Sequence, residues 1–375
     1  MKTNMAELKP ARRGGKKKIK KIAKTVKQKT TVKKIVAKKI SVLDLKKSKK
    51  NPIIEPTNER HWESKATFNP TAIFHDGKVH IIYRAIGDSD NSVLGYVESR
   101  DGFSFDSKEL AYYHKNIQPL SKIASPIIYC SGGGWGGGCE DPRLTLLENK
   151  VYMIYTSFDG WGSVRMALTS VSLEDFISKH WNWKRPVLIS PPGEIHKNWA
   201  LFPEKIEEKY AILHSISPKI MIDYFKSLDE LDGNNFIHSV HQGSHLWESR
   251  DKLARGVGPA PIKTKYGWLV FYHKMERHDS HRYKLWAMIL DANDPTKILY
   301  NSNQPILEPD EWYENEGYKS GVVYSCGAIV KDGELFVYYG GADKVSCVAT
   351  ANFDKFLKEL THSSVSVLKS KEIEN

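Results

Sequence analysis

The sequence predicts an all-β protein, a five-bladed β-propeller preceded by a disordered, Lys-rich N-terminal tail. One type of β-hairpin recurs five times, about 60–70 residues apart, and no amphipathic helix of any length separates the copies. Small sheets that repeat without crossover helices are typical of propellers, whereas a β-sandwich, the main alternative, does not explain this spacing. The predicted division is a tail at residues 1–50, a propeller at 51–360 and a C-terminal extension at 361–375.

The first 50 residues differ in charge from the rest of the chain. They contain 20 Lys and Arg against 2 Asp and Glu, a net charge of +18. The whole chain has 56 basic and 44 acidic residues, so the remainder holds 36 and 42, a net charge of −6. Dense like charge opposes compaction and predicts disorder. The tail is interpreted as an arm for nucleic acid or another anionic surface; the alternative is an extension without a specific partner.

Each predicted hairpin pairs two strands of alternating apolar and polar residues, bounded by turns with Gly, Asn or charged residues. A period of two is typical of half-buried strands. The first copy reads DGKVHIIYRA followed by SVLGYVES, and the last reads DGELFVYYGG followed by KVSCVATA. The five hairpins span residues 76–99, 149–170, 208–227, 266–291 and 332–351.

The most unusual stretch precedes the second hairpin and reads SGGGWGGGCEDPR from Ser131 to Arg143. Glycines in such numbers suit a tight bend or the close approach of a backbone to a ligand. Pro142 favours an extended conformation for Asp141, and in an extended segment the side chain of Glu140 points to the opposite face. Asp141 is therefore the candidate catalytic carboxylate of the pair. The alternative is a structural ion pair between Asp141 and Arg143.

Further polar motifs stand at equivalent places around the predicted hairpins. In a propeller such positions converge at the mouth of the central channel, where ligands bind. The motifs are FNP (68–70), YR (83–84), GCEDPR (138–143), LFPEK (201–205), GVGPAP (256–261), YH (272–273) and YYGGAD (338–343).

In this order the motifs resemble those of glycoside hydrolase family 130, the mannoside phosphorylases and related mannosidases, over about residues 51–355. The resemblance implies a five-bladed propeller and a carbohydrate-active enzyme that cleaves β-mannosides, most simply by inverting phosphorolysis to mannose 1-phosphate. It implies that Asp141 is the catalytic acid. It also implies that Asn69, Arg84, Arg143 and Asp343 bind mannose, and that Lys197, Asn198, Arg255, His273 and Tyr283 bind phosphate.

One segment departs from the phosphorylases that the sequence resembles. They usually carry an arginine after the histidine of the third hairpin, where this chain has Ser215 after His214. Serine cannot supply the bidentate fork that suits a phosphate dianion. Arg255, Lys197 and Lys263 are candidates to replace the missing cation. The departure leaves two alternatives open: a β-mannosidase on the same scaffold, and a non-catalytic glycan-binding propeller.

A hydrolase needs a second carboxylate as base, about 6.5–9.5 Å from the acid for inversion. Glu204 and Glu194 are the candidates for this group. Two of the candidate binding residues also have a purely structural interpretation: Asp343 as a turn residue and His273 as a core histidine. The residues Trp135, Trp161 and Trp199 are interpreted either as sugar platforms or as core aromatics.

Composition excludes several other classes of protein. The four cysteines show no metal-ligand spacing, which argues against a zinc site or a disulfide scaffold and favours reduced thiols in a cytoplasmic protein. No apolar run approaches about 18 residues, and the N-terminus lacks the apolar core of a secretory signal. No metal or cofactor is expected, and inorganic phosphate is the expected co-substrate. A homo-oligomer is compatible with the sequence. The sequence does not determine the linkage that is cleaved or the acceptor sugar.

Overall fold

The computed structural model describes residues 43, 45–105, 108–112, 137–159, 163–240 and 254–363. Within these residues the fold is all-β, as the sequence predicts, with twenty strands and two α-helices. Neither of these helices has the length and apolar character that crossing a bilayer requires. Residues 1–42 of the predicted tail, most of the glycine run, Cys130, Trp135 and Trp161 lie outside the described residues.

The strands form five antiparallel modules, numbered here in chain order. Module one contains β2 (Ala66–His75), β3 (Lys78–Ile86), β4 (Asn91–Ser99) and β5 (Glu109–Tyr112). Module two contains β6 (Gly137–Leu147), β7 (Lys150–Phe158), β8 (Val164–Ser172), helix α1 (Leu173–Ile177) and β9 (Val187–Leu188). A two-residue parallel pairing between β4 and β6 joins these modules into one eight-stranded sheet.

The remaining three modules are separate sheets. Module three contains β10 (Ala200–Leu201), β11 (Tyr210–Ser215) and β12 (Met221–Phe225). Module four contains β13 (Ala254–Val257), β14 (Ile262–Thr264), β15 (Gly267–Glu276), β16 (Asp279–Leu290) and β17 (Ile298–Asn301). Module five contains β18 (Val323–Lys331), β19 (Glu334–Gly341), β20 (Val345–Asn352) and β1 (Lys46–Lys47), and helix α2 (Phe353–Ser363) follows β20.

All five hairpins predicted from the sequence are present, and each lies within a different module. They are the pairs β3–β4, β7–β8, β11–β12, β15–β16 and β19–β20. Local alternation of apolar residues was sufficient to locate them because each is a short-range antiparallel pair. The fold class at the level of all-β is therefore confirmed.

The hydrophobic cores lie between consecutive modules, and one core lies between modules five and one. In β7, Val151, Met153 and Tyr155 pack against module one, while Tyr152 and Ile154 pack against module three. Successive side chains of a strand point to opposite faces, so both faces of this sheet are covered. The expectation of half-buried strands is wrong here because each module packs between two others.

The first described strand belongs to the last module. Lys46 and Lys47 of β1 pair with Thr350 and Ala349 of β20. The ammonium group of Lys47 lies 2.6 Å from the carboxylate of Glu314, which is fully buried. Glu314 ends a 3-10 helix at Trp312–Glu314, just before β18. The last residues of the segment predicted as a tail therefore belong to module five.

Candidate active site

The first strand of four modules is interrupted at the same place by a β-bulge. A bulge adds a residue to one strand, which bends the backbone and redirects a side chain. The four shifts in register fall at Asn69-Pro70 in β2, at Asp141-Pro142 in β6, at Arg255 in β13 and at Cys326 in β18. Three of the predicted site residues therefore occupy equivalent positions in three modules.

The backbone is left-handed at the first two of these bulges and at two other predicted site residues. The φ angles are 49° at both Asn69 and Asp141, 66° at Asn198 and 53° at Asp343. The prediction that Pro142 keeps Asp141 extended is wrong, because the bulge imposes the rarer conformation. Left-handed backbone at a residue other than glycine costs about 1–3 kcal/mol and clusters at functional sites. Four of the predicted site residues carry this strain.

Two glycines of the motifs leave room for this arrangement. A Cβ on Gly340 would lie 2.1 Å from Oδ1 of Asn69, inside any allowed contact. A Cβ on Gly138 would lie 1.9 Å from the carbonyl oxygen of Ser92, where β4 and β6 pair. Both glycines are needed for the close approach of two backbones.

Eight of the ten predicted site residues line one cavity of about 410 Å³. They are Asn69, Arg84, Asp141, Lys197, Asn198, Arg255, Tyr283 and Asp343. The other two, Arg143 and His273, lie behind the wall of this cavity and are at most 1% exposed. Sequence reasoning missed five further lining residues: Glu140, Tyr318, Lys319, Val322 and Tyr324.

Asp141 lies in a dense set of donors and cations. Its Oδ1 accepts a hydrogen bond of 2.7 Å from Nδ2 of Asn69 and lies 3.4 Å from Nη1 of Arg84. Burial alone would raise the pKa of this carboxyl, but Arg84, Lys197 and the bond from Asn69 outweigh it and lower the pKa. Asp141 is therefore ionised in the unliganded site at neutral pH.

Glu140 also belongs to the site, contrary to the prediction that it points away. It is fully buried, with Oε1 2.7 Å from Nη2 of Arg84 and Oε2 3.1 Å from Nζ of Lys197. The bulge at Asp141 breaks the alternation of side chains on which that prediction depended. Glu140 and Asp141 therefore share the cation Arg84.

Arg143 lies behind the cavity and donates hydrogen bonds to several segments that form it. Its Nε and Nη2 donate to the carbonyl oxygens of Gly258 and Val257 at 2.7 and 3.0 Å. Its Nη1 donates to the backbone oxygen of Asp141 at 2.8 Å, and Nη2 also donates to Oδ1 of Asn198 at 3.0 Å. These bonds are directed at protein acceptors rather than at the cavity. The geometry favours a positioning role for Arg143 over the mannose contact that the resemblance implies.

His273 is similarly removed from the cavity. Its Nε2 accepts a hydrogen bond of 2.9 Å from the backbone N–H of Ser325. Its ring stacks on Tyr324 with centroids 4.0 Å apart. Burial, together with the nearby charge of Arg143, lowers the pKa of His273 to about 3. A neutral, buried ring fits the core-histidine alternative better than a direct phosphate contact.

The two cations predicted to bind phosphate, Lys197 and Arg255, both line the cavity. Nδ2 of Asn198 donates to the carbonyl oxygen of Arg255 at 2.6 Å, which joins modules three and four. The guanidinium carbon of Arg255 lies 5.8 Å from the centre of the Tyr283 ring, and Nζ of Lys319 lies 4.0 Å from it. Lys197 lies 3.1 Å from Oε2 of Glu140 in the same cavity.

Asp343 lies at the turn between β19 and β20, partly buried on the cavity wall. Burial raises the pKa of its carboxyl to about 6, against the opposing effect of Lys319 and Arg84. Near neutral pH the group is therefore mostly ionised and able to accept hydrogen bonds from sugar hydroxyls.

Neither carboxylate predicted as a second base lines the cavity. Glu204 is half exposed and lies 3.4 Å from Lys263, while Glu194 lies 2.7 Å from Nε2 of His196. The hydroxyl of Ser215 donates to the carbonyl oxygen of Ser217 at 3.1 Å. Trp199 is 1% exposed and packs in the core between modules two and three, so it is a core aromatic.

Comparison with known proteins agrees with the motifs. A sequence model of glycoside hydrolase family 130, described as β-1,4-mannooligosaccharide phosphorylase, matches residues 14–362. A 1,2-β-oligomannan phosphorylase from Thermoanaerobacter is 37% identical over 82% of this chain and 97% of its own. A β-1,2-mannobiose phosphorylase from the same strain is 33% identical over 81% of this chain and 96% of its own.

A solved structure supports the same fold. The β-1,2-mannobiose phosphorylase from Listeria innocua, in complex with β-1,2-mannobiose, superimposes with a TM-score of 0.62 at 23% identity. The match covers 84% of this chain and 99% of that one. At this identity the likeness speaks for the fold alone. Together with the sequence matches, it leads to the conclusion that the chain belongs to glycoside hydrolase family 130 and is an enzyme acting on β-mannosides.

Proposed function

We propose that this enzyme is an inverting phosphorylase that cleaves β-1,2-linked mannosides with inorganic phosphate and releases mannose 1-phosphate. The observation that carries the proposal is that three cations, Lys197, Arg255 and Lys319, line the same cavity as Asp141. A phosphate nucleophile arrives already anionic, so the reaction requires cations to gather it and one carboxylic acid for the leaving oxygen. The composition of the cavity fits that requirement.

In the proposed reaction a phosphate oxygen attacks the anomeric carbon from the face opposite the leaving sugar. The bond between the anomeric carbon and the bridging oxygen breaks, and its electron pair stays on that oxygen. Asp141 supplies the proton that this oxygen takes up, directly or through a hydroxyl of the sugar. Asn69, Arg84 and Asp343 would hold the mannose that is transferred.

Hydrolysis by the same site is less well supported. A water nucleophile requires a carboxylate base on the far side of the sugar. Glu204 and Glu194 do not line the cavity, and Glu140 is engaged by two cations. The preference for the β-1,2 linkage rests on the relatives at 33–37% identity, which are named for that linkage. A Ruminococcus albus phosphorylase named for the β-1,4 linkage is 26% identical.

We further infer that the five modules are the blades of a closed propeller. Two observations support this: the cores between consecutive modules, with a fifth between modules five and one, and the pairing of β1 with β20. A strand from the start of the chain that completes the last sheet would join the two ends of the ring. The channel of such a propeller would open at the bulges of the first strands.

The proposal is tested by incubating the enzyme with β-1,2- and β-1,4-mannobiose, with and without phosphate, and identifying the products. Mannose 1-phosphate should form only with phosphate present, and faster from the β-1,2 disaccharide. Mannose released at the same rate without phosphate would refute the phosphorylase in favour of a hydrolase. Asp141→Asn should reduce turnover at least about 100-fold, and full activity in this variant would refute the assignment of the acid.

Several expectations from the sequence stay predictions. They are the binding of nucleic acid or another anionic surface by the tail, a cytoplasmic location, a homo-oligomer, and a reaction that uses phosphate without a metal or cofactor.

A further inference from the structure

The cations of the active-site cavity fall into two groups. Arg84 and Lys197 both pair with Glu140, and Arg84 also approaches Asp141, so two carboxylates balance these two cations. Among the described residues, no carboxylate lies within ion-pair distance of Arg255 or Lys319, although both line the cavity and the charge of Lys319 acts on Asp343. The positive charge that is available to a ligand is therefore concentrated at Arg255 and Lys319.

Arg255 has one buried nitrogen that donates no hydrogen bond within the described protein. Its Nε is buried and has no hydrogen-bond partner among the described residues. Its Nη2 has the weak acceptor Sδ of Met275 at 4.0 Å. A buried guanidinium nitrogen without a strong acceptor is costly, and an anion bound beside it in the cavity would remove that cost.

Lys319 and Arg255 both lie near the ring of Tyr283. Its Nζ lies 4.0 Å from the centre of the Tyr283 ring, and the guanidinium carbon of Arg255 lies 5.8 Å from the same centre. Lys319 is exposed, so its ammonium group is accessible to a ligand that enters the cavity. An anion placed beside Tyr283 would lie near Arg255 of module four and near Lys319 of the loop before module five.

The backbone that carries Lys319 is held in place. Its N–H donates to the carbonyl oxygen of Ala342 at 3.1 Å, beside Asp343. The N–H groups of Gly321 and Val322 donate to the carbonyl oxygen of Glu314 at 3.0 and 3.1 Å. A lysine on an anchored loop loses less freedom on binding a ligand than one on an open loop.

We propose that Lys319 is a phosphate-binding residue that, with Arg255, takes the place of the arginine absent at Ser215. The inference rests on the proposed phosphorylase function. The hydroxyl of Ser215 donates to the carbonyl oxygen of Ser217, and Ser215 does not line the active-site cavity. Lys319 lines the cavity from the loop before β18.

The test compares Lys319→Met, Lys319→Arg and the control Lys344→Met in phosphorolysis of β-1,2-mannobiose. Lys344 is an exposed lysine of the neighbouring turn and does not line the cavity. Phosphate and mannobiose are varied separately, so that each KM is obtained. Binding of inorganic phosphate alone is measured by calorimetry, and circular dichroism checks the fold.

Lys319→Met should raise the KM for phosphate about tenfold or more, because it removes one charge-assisted contact with phosphate. It should weaken phosphate binding by a similar factor. The KM for mannobiose should stay within about twofold. Lys319→Arg should retain most of the phosphate affinity, and Lys344→Met should behave as the unmodified enzyme.

Two results would overturn the proposal: an unchanged KM for phosphate in Lys319→Met, or a rise in the KM for mannobiose alone, which would assign Lys319 to the sugar. If the unmodified enzyme makes no mannose 1-phosphate, the proposed function fails. In that case calorimetry with phosphate still decides whether Lys319 and Arg255 form an anion site.

Discussion

Replacing Glu140 by glutamine removes one charge from the most densely charged part of the site and keeps the shape of the side chain. The carboxylate is fully buried, 2.7 Å from Arg84 and 3.1 Å from Lys197. Breaking a buried ion pair by removing one partner costs about 3–5 kcal/mol. Asp141 still compensates part of the charge of Arg84, so we expect a loss near the lower end, about 3 kcal/mol. For a domain of this size the corresponding fall in Tm is about 6 °C.

The same substitution should change the chemistry at Asp141. The pKa of this carboxyl is already lowered by Arg84 and Lys197 against the effect of burial. Without the charge of Glu140 these cations act on Asp141 less opposed, so its pKa falls further. Each unit of pKa decreases the protonated fraction about tenfold at a pH above the pKa. We therefore expect kcat/KM to fall at least about tenfold and the pH optimum to move to lower pH.

Thermal unfolding and the pH dependence of kcat/KM measure the two effects separately. Glu204→Gln is the matched control, since Glu204 and Lys263 form a half-exposed pair 3.4 Å apart. Such surface pairs contribute about 0–1 kcal/mol. A loss of stability below about 1 kcal/mol in Glu140→Gln, or an unmoved pH optimum, would refute the reasoning. An equal loss in both variants would also contradict it.

Three further predictions follow from the described contacts. Asp343 must be ionised to accept hydrogen bonds from the sugar, and its pKa is about 6, so kcat/KM of the unmodified enzyme should fall below about pH 6. Asp343→Asn should abolish this fall; a fall that persists in the variant would show that another group causes it. Lys47→Met should lose about 3 kcal/mol in denaturant unfolding because it leaves the buried Glu314 unpaired, whereas Lys46→Met should lose less than about 1 kcal/mol; similar losses would contradict the pairing of Lys47 with Glu314. Deleting residues 1–42, which retains β1, should abolish salt-sensitive DNA binding and spare catalysis; DNA binding that survives the deletion would refute the arm interpretation.

The modules could be predicted from the sequence because their information is local. A strand of the first hairpin such as KVHIIYRAI alternates its faces, and its partner follows after a short turn. Alternation does not reveal that both faces are covered, since the apolar residues on each face pack against different modules. That the last module is completed by β1 could not be predicted either, because the pairing joins residues about 300 positions apart in a two-residue strand.

The site was predictable where residues belong to motifs and unpredictable where geometry departs from regular structure. Asn69, Asp141 and Asp343 stand in recognisable motifs and line the cavity together. Glu140 was assigned to the wrong face because the bulge cannot be read from a period of two. Lys319 lies in a loop without regular spacing, and its approach to Tyr283 depends on how modules four and five meet.

The charges of the site impose a conflict that phosphate itself would resolve. Asp141 must carry a proton to act as an acid, yet Arg84 and Lys197 lower its pKa in the unliganded cavity. A phosphate dianion bound in the cavity near Arg84 and Lys197 would offset their charges and raise the pKa of Asp141. Asp141 would then be protonated mainly when phosphate is bound. Without phosphate the acid would be ionised, and hydrolysis by water would be disfavoured.

This coupling predicts that phosphate binding is accompanied by proton uptake at Asp141. Calorimetric titration with phosphate in two buffers of different ionisation enthalpy measures the number of protons taken up. Asp141→Asn is the control, since any proton that phosphate itself gains or loses on binding remains in that variant. We expect uptake in the unmodified enzyme to exceed that in Asp141→Asn. Equal uptake in the two proteins would show that the bound phosphate does not control the protonation of Asp141.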